Sequence, residues 1–472
     1  MGSPGWVVQI ANDNVMLTNL AVYYDGDYPP CGAEIKRPRT PSRSSMILKA
    51  ILTGALAAAL VAPAAAQAPV DPFPRIAPEQ AGFSADGLAR IGAVLDRDIA
   101  NGKMPGAVLA IARDGKLVHL QAYGYRDKAA NVPMTTDTIF SIASMTKPMT
   151  TVAALQLAER GDIVIDEAVS TYLPGRFTES GVATLDAMGA MTGAVPAKRA
   201  ITVRDLLTHT SGLVYGGRGA TAVHKMYPAG SVAAAKELDG QAFLDKLSGL
   251  PLLNQPGAVW DYGFGLDVTG LAIEAVTREP LDAHLARTVF APLGMGDTSF
   301  QIPSDKAARY AKPLPTDPAT GRPQVLDIDS TVPRKFNCGG GCAASTALDY
   351  LRFAEMLRND GTLGGRRILS PAMTRYMLSN QLGPDVRNLI GNADPTRADY
   401  GFGLGLAVRT TPGIARLIGS VGDFTWPGST GTNWWVDPAR GLSVVFMAHT
   451  PGPARWHYRY LINALVYGAM ER

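Results

Sequence analysis

Ser144 and Lys147, within Phe140-Ser141-Ile142-Ala143-Ser144-Met145-Thr146-Lys147-Pro148, are the residues whose types and spacing point most directly to chemistry. A serine hydroxyl is a poor nucleophile until a nearby base takes its proton. A lysine three residues on shares its helical face, with Cβ atoms ~5–6 Å apart. Lysine acts as a base only when burial or a neighbouring cation lowers its pKa from about 10.4. A serine at a helix N-terminus also meets free backbone N–H groups and a positive dipole end, which favour an oxyanion. Pro148 fits that placement, because proline is tolerated only near the first turn. The chemistry implied is acyl transfer through a serine ester. Alone, a Ser-x-x-Lys pattern is weak, and an ordinary surface pair has the same spelling. No Gly-x-Ser-x-Gly pentapeptide signals a different nucleophile.

The elements that must position this pair can be read from periodicity. Ser84-Ala85-Asp86-Gly87 starts an amphipathic helix carrying Leu88, Ile91, Val94, Leu95 and Ile99. Strands are expected at 107–112 and 116–123, joined by an Asp114-Gly115 hairpin turn. A helix from near Ser144 runs through Val152, Leu155 and Leu157 and stops at Gly161. From there to about 335 the pattern is helices and long Gly/Pro loops with few strand signals. Helices return at 345–359 and 370–382, strands at 401–410, 432–436 and 442–448, and a last helix at 455–470. The expectation is an α/β (α+β) fold. Residues 69–160 and 336–472 form an antiparallel sheet flanked by helices, and 161–335 form a mainly helical inserted domain.

Composition narrows the function. Hydrophobic residues make up 46% and charged residues 18%, a globular balance. A net charge of +3 is too small to argue for nucleic acid or an anionic membrane surface. The six histidines show no metal-ligand spacing, so neither a metal nor a cofactor is expected. Cys338 and Cys342 bracket Gly339-Gly340-Gly341. They read either as a small disulfide in an oxidising compartment or as two buried thiols beside a glycine loop. Residues 46–68 have the layout of a signal peptide, with a positive start, an apolar run at 50–61 and small residues near 66–68 for cleavage. The run is short for a membrane span of ~20 residues. With no cysteine at the cleavage site, no stable membrane anchor is expected, and the mature protein is expected to be periplasmic or secreted. Residues 1–45 precede this segment without periodicity and are treated as a leader of doubtful origin, expected to be disordered.

Set in order, the motifs resemble the serine β-lactamase and penicillin-binding protein superfamily, closest to the family VIII carboxylesterases. The block from Phe140 to Pro148 is similar to the family's first motif. Leu206-Leu207-Thr208-His209-Thr210-Ser211-Gly212-Leu213 resembles a shared loop signature, in which His209 is read as structural. Pro256-Gly257-Ala258-Val259-Trp260-Asp261-Tyr262-Gly263-Phe264 resembles the second motif, which implies that Tyr262 shares base duty with Lys147. Phe424-Thr425-Trp426-Pro427-Gly428-Ser429 resembles the esterase form of the third motif. By that resemblance the N–H groups of Ser144 and Ser429 form the oxyanion hole, and Phe264, Trp426 and Gly428 contact substrate. Two departures matter. Phe264 stands where lactamases place an asparagine, and Trp426 where they place a lysine. An apolar residue there suits a neutral acyl group. Pro427 lacks an N–H and is expected only at an exposed strand edge.

The reading is therefore a serine carboxylesterase acting on neutral, short- to medium-chain small-molecule esters through an acyl-enzyme on Ser144. The rivals are a β-lactamase or D-alanyl-D-alanine carboxypeptidase, an acyltransferase of the same fold, and a non-catalytic penicillin-recognition module.

Overall fold

The 107–112 and 442–448 runs, some 330 residues apart in sequence, lie side by side at the centre of one sheet. They do so in a computed structural model that describes residues 73–471 apart from 325 and 327. The readings for 1–45 and for the signal peptide at 46–68 lie outside the described residues. The sheet contains β1 (Gly106–Arg113), β2 (Lys116–Asp127), β3 (Val132–Pro133), β4 (Gly401–Phe402), β5 (Ala407–Val408), β6 (Phe424–Thr425), β7 (Asn433–Asp437) and β8 (Leu442–Met447). Their order is β4-β5-β6-β7-β8-β1-β2-β3, and every neighbouring pair is antiparallel.

Strand alternation assigns the two faces. Ala107, Leu109 and Ile111 of β1 join Trp435, Val444 and Phe446 on one face. There they meet α1 (Ala85–Ala100) and the C-terminal helix Ala454–Gly468. Val108, Ala110 and Ala112 join Trp434, Val436, Val445 and Met447 on the other face. That side carries α2 (Thr146–Glu159), α3 (Gly265–Thr277) and α4 (Ala347–Arg358), so the C-terminal helix is α5. Covered on both sides, β1 has no polar face to show, which is why its sequence is a continuous apolar run.

Local signals land where expected. Ser84 caps α1 by accepting from the Gly87 N–H at 3.1 Å. Leu88, Ile91, Leu95 and Ile99 are buried, while Val94 is half-buried. Asp114 and Gly115 both have positive φ, 50° and 76°, as a two-residue hairpin requires. Gly161 follows the end of α2 with φ 78°.

Three expectations change. The single strand read at 401–410 is a hairpin of β4 and β5, closed by Gly403 N–H to Leu406 O at 2.8 Å. A Cβ on Gly403 would meet Met377 O at 2.2 Å, and one on Gly405 would meet Thr151 Oγ1 at 2.0 Å, so glycine dictates the turn. The helix read at 370–382 ends at Met377, and Gln381 N–H bonds Phe402 O instead of continuing it. The regular elements of residues 161–335 are mainly helices joined by long loops, but they also include a hairpin, Gly181–Leu185 with Met191–Pro196, whose sequence lacks a strong β signal.

His449, just past β8, ties the sheet to the nucleophile strand. Its ring lies edge-on to Phe140 at 5.2 Å, and Nδ1 bonds Ala311 O at 2.9 Å. Burial pushes its pKa down to about 4 from an unfolded value of 6.5. The native state therefore binds fewer protons than the unfolded state, and stability is lost as pH falls from 6.5 to about 4. The expected slope from this residue is about 1.4 kcal/mol per pH unit at most. Urea unfolding across that range should show a shallower acid slope for His449→Gln than for the wild type.

Candidate active site

Ser144 sits at a sharp corner. The strand Phe140–Ser141 pairs with Ala344–Ser345, one turn of 3-10 helix follows at Ala143–Met145, and α2 begins at Thr146. Ala143 has φ 46°, the left-handed region that non-glycine residues rarely enter. Such a conformation costs on the order of 1–3 kcal/mol and persists only when its surroundings enforce it. Here Ile142 N–H bonds Ala343 O at 3.0 Å. Thr146 Oγ1 donates to Ala143 O at 2.7 Å and accepts from Ala343 N–H at 3.1 Å. The Tyr350 hydroxyl donates to Met145 O at 2.8 Å. The corner leaves Ser144 half-buried, with Tyr262 Oη 2.7 Å from its Oγ.

Tyr262 is delivered by the loop with the shared signature. His209 O accepts Asp261 N–H at 2.9 Å, and Thr210 O accepts Gly257 N–H at 2.8 Å. A Cβ on Gly263 would lie 1.8 Å from Leu213 O, so the two segments touch only because residue 263 is glycine. His209 is buried, and its ring lies edge-on to Tyr262 at 4.8 Å and to Trp260 at 5.7 Å. Burial first, then the Lys147 and Arg218 cations, hold its pKa well below the usual imidazole value. It is a neutral packing ring.

Lys147 is fully buried. Its ammonium lies 4.6 Å from the Tyr262 ring centroid and 5.4 Å from that of Tyr215. It donates to Gly340 O at 2.5 Å and to Tyr215 Oη at 3.2 Å. Tyr215 donates in turn to Asp267 Oδ2 at 3.2 Å, and Ser231 Oγ donates to the same oxygen at 2.8 Å. Asp267 Oδ1 accepts Gly340 N–H at 2.9 Å. Burial pushes the Asp267 carboxyl up, opposed by Lys147 and by its three donors. Burial, then Asp267, pushes the Tyr215 phenol well above its ordinary value. The network is a buried cation and carboxylate joined through a tyrosine and a glycine.

The third motif closes the site. Thr430 Oγ1 donates to Ser141 O at 2.7 Å, and Thr432 Oγ1 to Ile142 O at 3.3 Å. A Cβ on Gly428 would meet Ile142 O at 2.5 Å, so this glycine is needed for close approach to the nucleophile strand. Ser429 is exposed beside it, and among the described residues neither its N–H nor that of Ser144 has a protein acceptor. Trp426 is 2% exposed, and its Nε1–H donates to Tyr262 Oη at 3.0 Å. Pro427 is buried, not at an exposed edge. It lies beyond the end of β6, where no ladder bond is asked of its nitrogen. Phe264 is 0% exposed and packs on Tyr215, Tyr227 and Phe243, so it supports Tyr215 from below instead of facing a substrate.

Cys338 and Cys342 form a disulfide with Cα atoms 5.2 Å apart. Among the described residues no cluster of His, Cys, Asp or Glu could hold a metal. Tyr215, Ser231, Asp267 and Arg218 were not singled out from sequence. Asp267 carried the clearest signal, a lone carboxylate in the apolar run Gly265-Leu266-Asp267-Val268-Thr269-Gly270-Leu271. Arg218, whose guanidinium lies 5.3 Å from the Tyr262 ring centroid, had none.

A family model described as Beta-lactamase matches residues 91–467. Esterase EstB of Burkholderia gladioli is 31% identical over 385 residues, covering 77% of this chain and 90% of its own length. The monacolin J acid methylbutanoyltransferase of Aspergillus terreus is 30% identical over 401 residues, covering 77% and 90%. Among solved structures, EstCE1, titled a hydrolase with promiscuous acyltransferase activity, superposes with a TM-score of 0.65 at 27% identity, over 81% of this chain and 99% of its own.

Two substitutions separate chemistry from support. Tyr262→Phe removes only the hydroxyl and is expected to lower kcat about 10²–10⁴-fold with KM little changed, in steady-state ester hydrolysis. Asp267→Ala leaves the Lys147 charge buried without its carboxylate and is expected to cost about 3–5 kcal/mol in urea unfolding.

Proposed function

Because the chain belongs to the Beta-lactamase family, we propose that it is a serine carboxylesterase working through an acyl-enzyme on Ser144. The observation that carries this reading is the 2.7 Å contact between Tyr262 Oη and Ser144 Oγ, with the buried Lys147 ammonium against the Tyr262 ring. The ester carbonyl oxygen lies between the N–H groups of Ser144 and Ser429. Tyr262, as the general base, takes the Ser144 proton, and Oγ attacks the carbonyl carbon. Negative charge on the phenol oxygen is stabilised by Lys147 and Arg218 beside the ring and by the Trp426 N–H. Tyr262 then gives the proton to the departing alkoxide. Water repeats the sequence in reverse and frees the acid.

Esters are favoured over lactams because Trp426 and Phe264 replace the lysine and asparagine of the lactamase pattern. Their side chains offer no cation for a carboxylate and no amide for a lactam. The similarity to Esterase EstB supports the same choice. The methylbutanoyltransferase relative favours a second reading, in which an alcohol instead of water takes the acyl group. We also propose export through residues 46–68, which suits a disulfide. A mature N-terminus near residues 66–68 by mass spectrometry would support it, and an intact leader on the exported protein would count against it.

Ser144→Ala is expected to lose at least about 10³-fold in p-nitrophenyl butyrate turnover, as removal of a covalent nucleophile does. Retained turnover would sink the assignment. Nitrocefin run beside C2–C12 p-nitrophenyl esters should be the poorer substrate, and faster nitrocefin turnover would reverse the preference. Added short-chain alcohol raising nitrophenol release above the rate in water, with transfer product exceeding acid, would favour the acyltransferase reading.

A further inference from the structure

The disulfide closes the loop on which the buried charge network hangs. Cys338 and Cys342 are fully buried and enclose Gly339, Gly340 and Gly341. Gly340 O accepts the Lys147 ammonium, and Gly340 N–H donates to Asp267. Gly339 O accepts from Thr150 Oγ1 at 2.9 Å, one turn along α2 from Lys147. The loop thus touches the lysine, its carboxylate partner and α2, which carries Lys147 and starts two residues after Ser144. Directly after Cys342, Ala343 and Ala344 pair with Ile142 and Ser141, so the far end of the loop is anchored on the nucleophile strand.

Close approach forces glycine at two of the three positions. A Cβ on Gly340 would lie 2.4 Å from Asp267 Oδ2, and one on Gly339 would lie 2.5 Å from Leu266 O. A run of three glycines, however, is the chain least able to hold a carbonyl in one place, because glycine has the widest conformational freedom. Only two backbone bonds close the loop internally, Gly341 and Cys342 N–H to Cys338 O, both 3.2 Å. A covalent bond across the same five residues supplies the constraint that the glycines remove.

We infer that the Cys338–Cys342 disulfide is a positioning device for Lys147, fixing Gly340 so that the ammonium stays against the Tyr262 ring. The inference rests on the proposed catalytic use of Lys147 and Tyr262. Without the bond, the Gly340 carbonyl wanders, and the lysine stabilises charge on the Tyr262 oxygen less well. Substrate binding at the Ser429 side is untouched. The effect therefore falls on kcat and on its pH dependence, not on KM.

The test is the Cys338→Ser/Cys342→Ser double variant of the full chain, assayed on p-nitrophenyl butyrate across pH 5–10 beside wild type and Lys147→Ala. The expected result is a kcat loss of about tenfold or more, KM within about threefold, and the rising limb of kcat/KM displaced to higher pH. A folded variant with the wild-type pH profile would overturn the inference, even with a lowered melting temperature, since the bond would then be merely structural. If the variant does not fold, wild type is reduced with a phosphine in native buffer and two additional thiols are counted. Activity falling in step with thiol release and returning on reoxidation supports the inference, and full activity with both thiols free overturns it. Lys147→Ala separates the two readings. If it keeps wild-type turnover, the catalytic reading itself fails. If it is inactive while the disulfide variant is unchanged, only the positioning role fails.

Discussion

A buried ammonium needs a buried answer, and most of this site is built around that constraint. Lys147 is fully enclosed, and so is Asp267. Moving either charge out of water alone would cost several kcal/mol, and an unpaired buried carboxylate or lysine would neutralise instead. The two do not touch. Tyr215 and Gly340 stand between them, each bonded to both. This arrangement gives the lysine hydrogen-bond partners while leaving it free to lie against the Tyr262 ring instead of being captured by the carboxylate. A direct ion pair would have spent the lysine's field on Asp267.

Four remote segments must converge for this to work, and at each contact a glycine lets its neighbour approach closely. Gly263 meets Leu213, Gly428 meets Ile142, Gly405 meets Thr151, and Gly340 meets Asp267, all at distances a Cβ would occupy. The sheet supplies the frame. β1 and β8 bring the two ends of the chain together, and the 424–432 segment is held over the nucleophile by the hydroxyls of Thr430 and Thr432. Arg459 on α5, paired with Asp394, fixes Gly428 O at 2.6 Å from the far side. The left-handed Ala143 is the local consequence, a strained residue held from several directions so that Ser144 projects from the corner.

The aromatic residues do two jobs that sequence reading merged. Trp426 offers its N–H to Tyr262 and packs against Trp260 and Phe402. Phe264 lies beneath Tyr215 in the core. Both replace polar residues of the lactamase pattern, but Trp426 bonds the Tyr262 hydroxyl and Phe264 packs beneath Tyr215. Trp426 thus gives Tyr262 an apolar surrounding, with Lys147 and Arg218 beside its ring.

Much was readable in the chain itself. Ser84, Asp114-Gly115 and Gly161 act through their own backbone preferences, so α1, the first hairpin and the end of α2 followed from local rules. Ser144, Lys147 and Tyr262 could be singled out because their chemistry demands those residue types in a recognisable setting. Tyr215 and Arg218 were silent, because any tyrosine or arginine is spelled the same way, whereas Asp267 showed only as a lone carboxylate in an apolar helix. The 401–410 strand and the 181–196 hairpin were misread because Gly403 turns on a contact with Met377, and because the hairpin's own residues have little β preference. The Ser-x-x-Lys pattern thus pointed to the atoms proposed to react. Only tertiary structure decided that Lys147 is buried, where its bonds go and which carboxylate balances it, since these depend on residues 68 to 193 positions away brought together by packing.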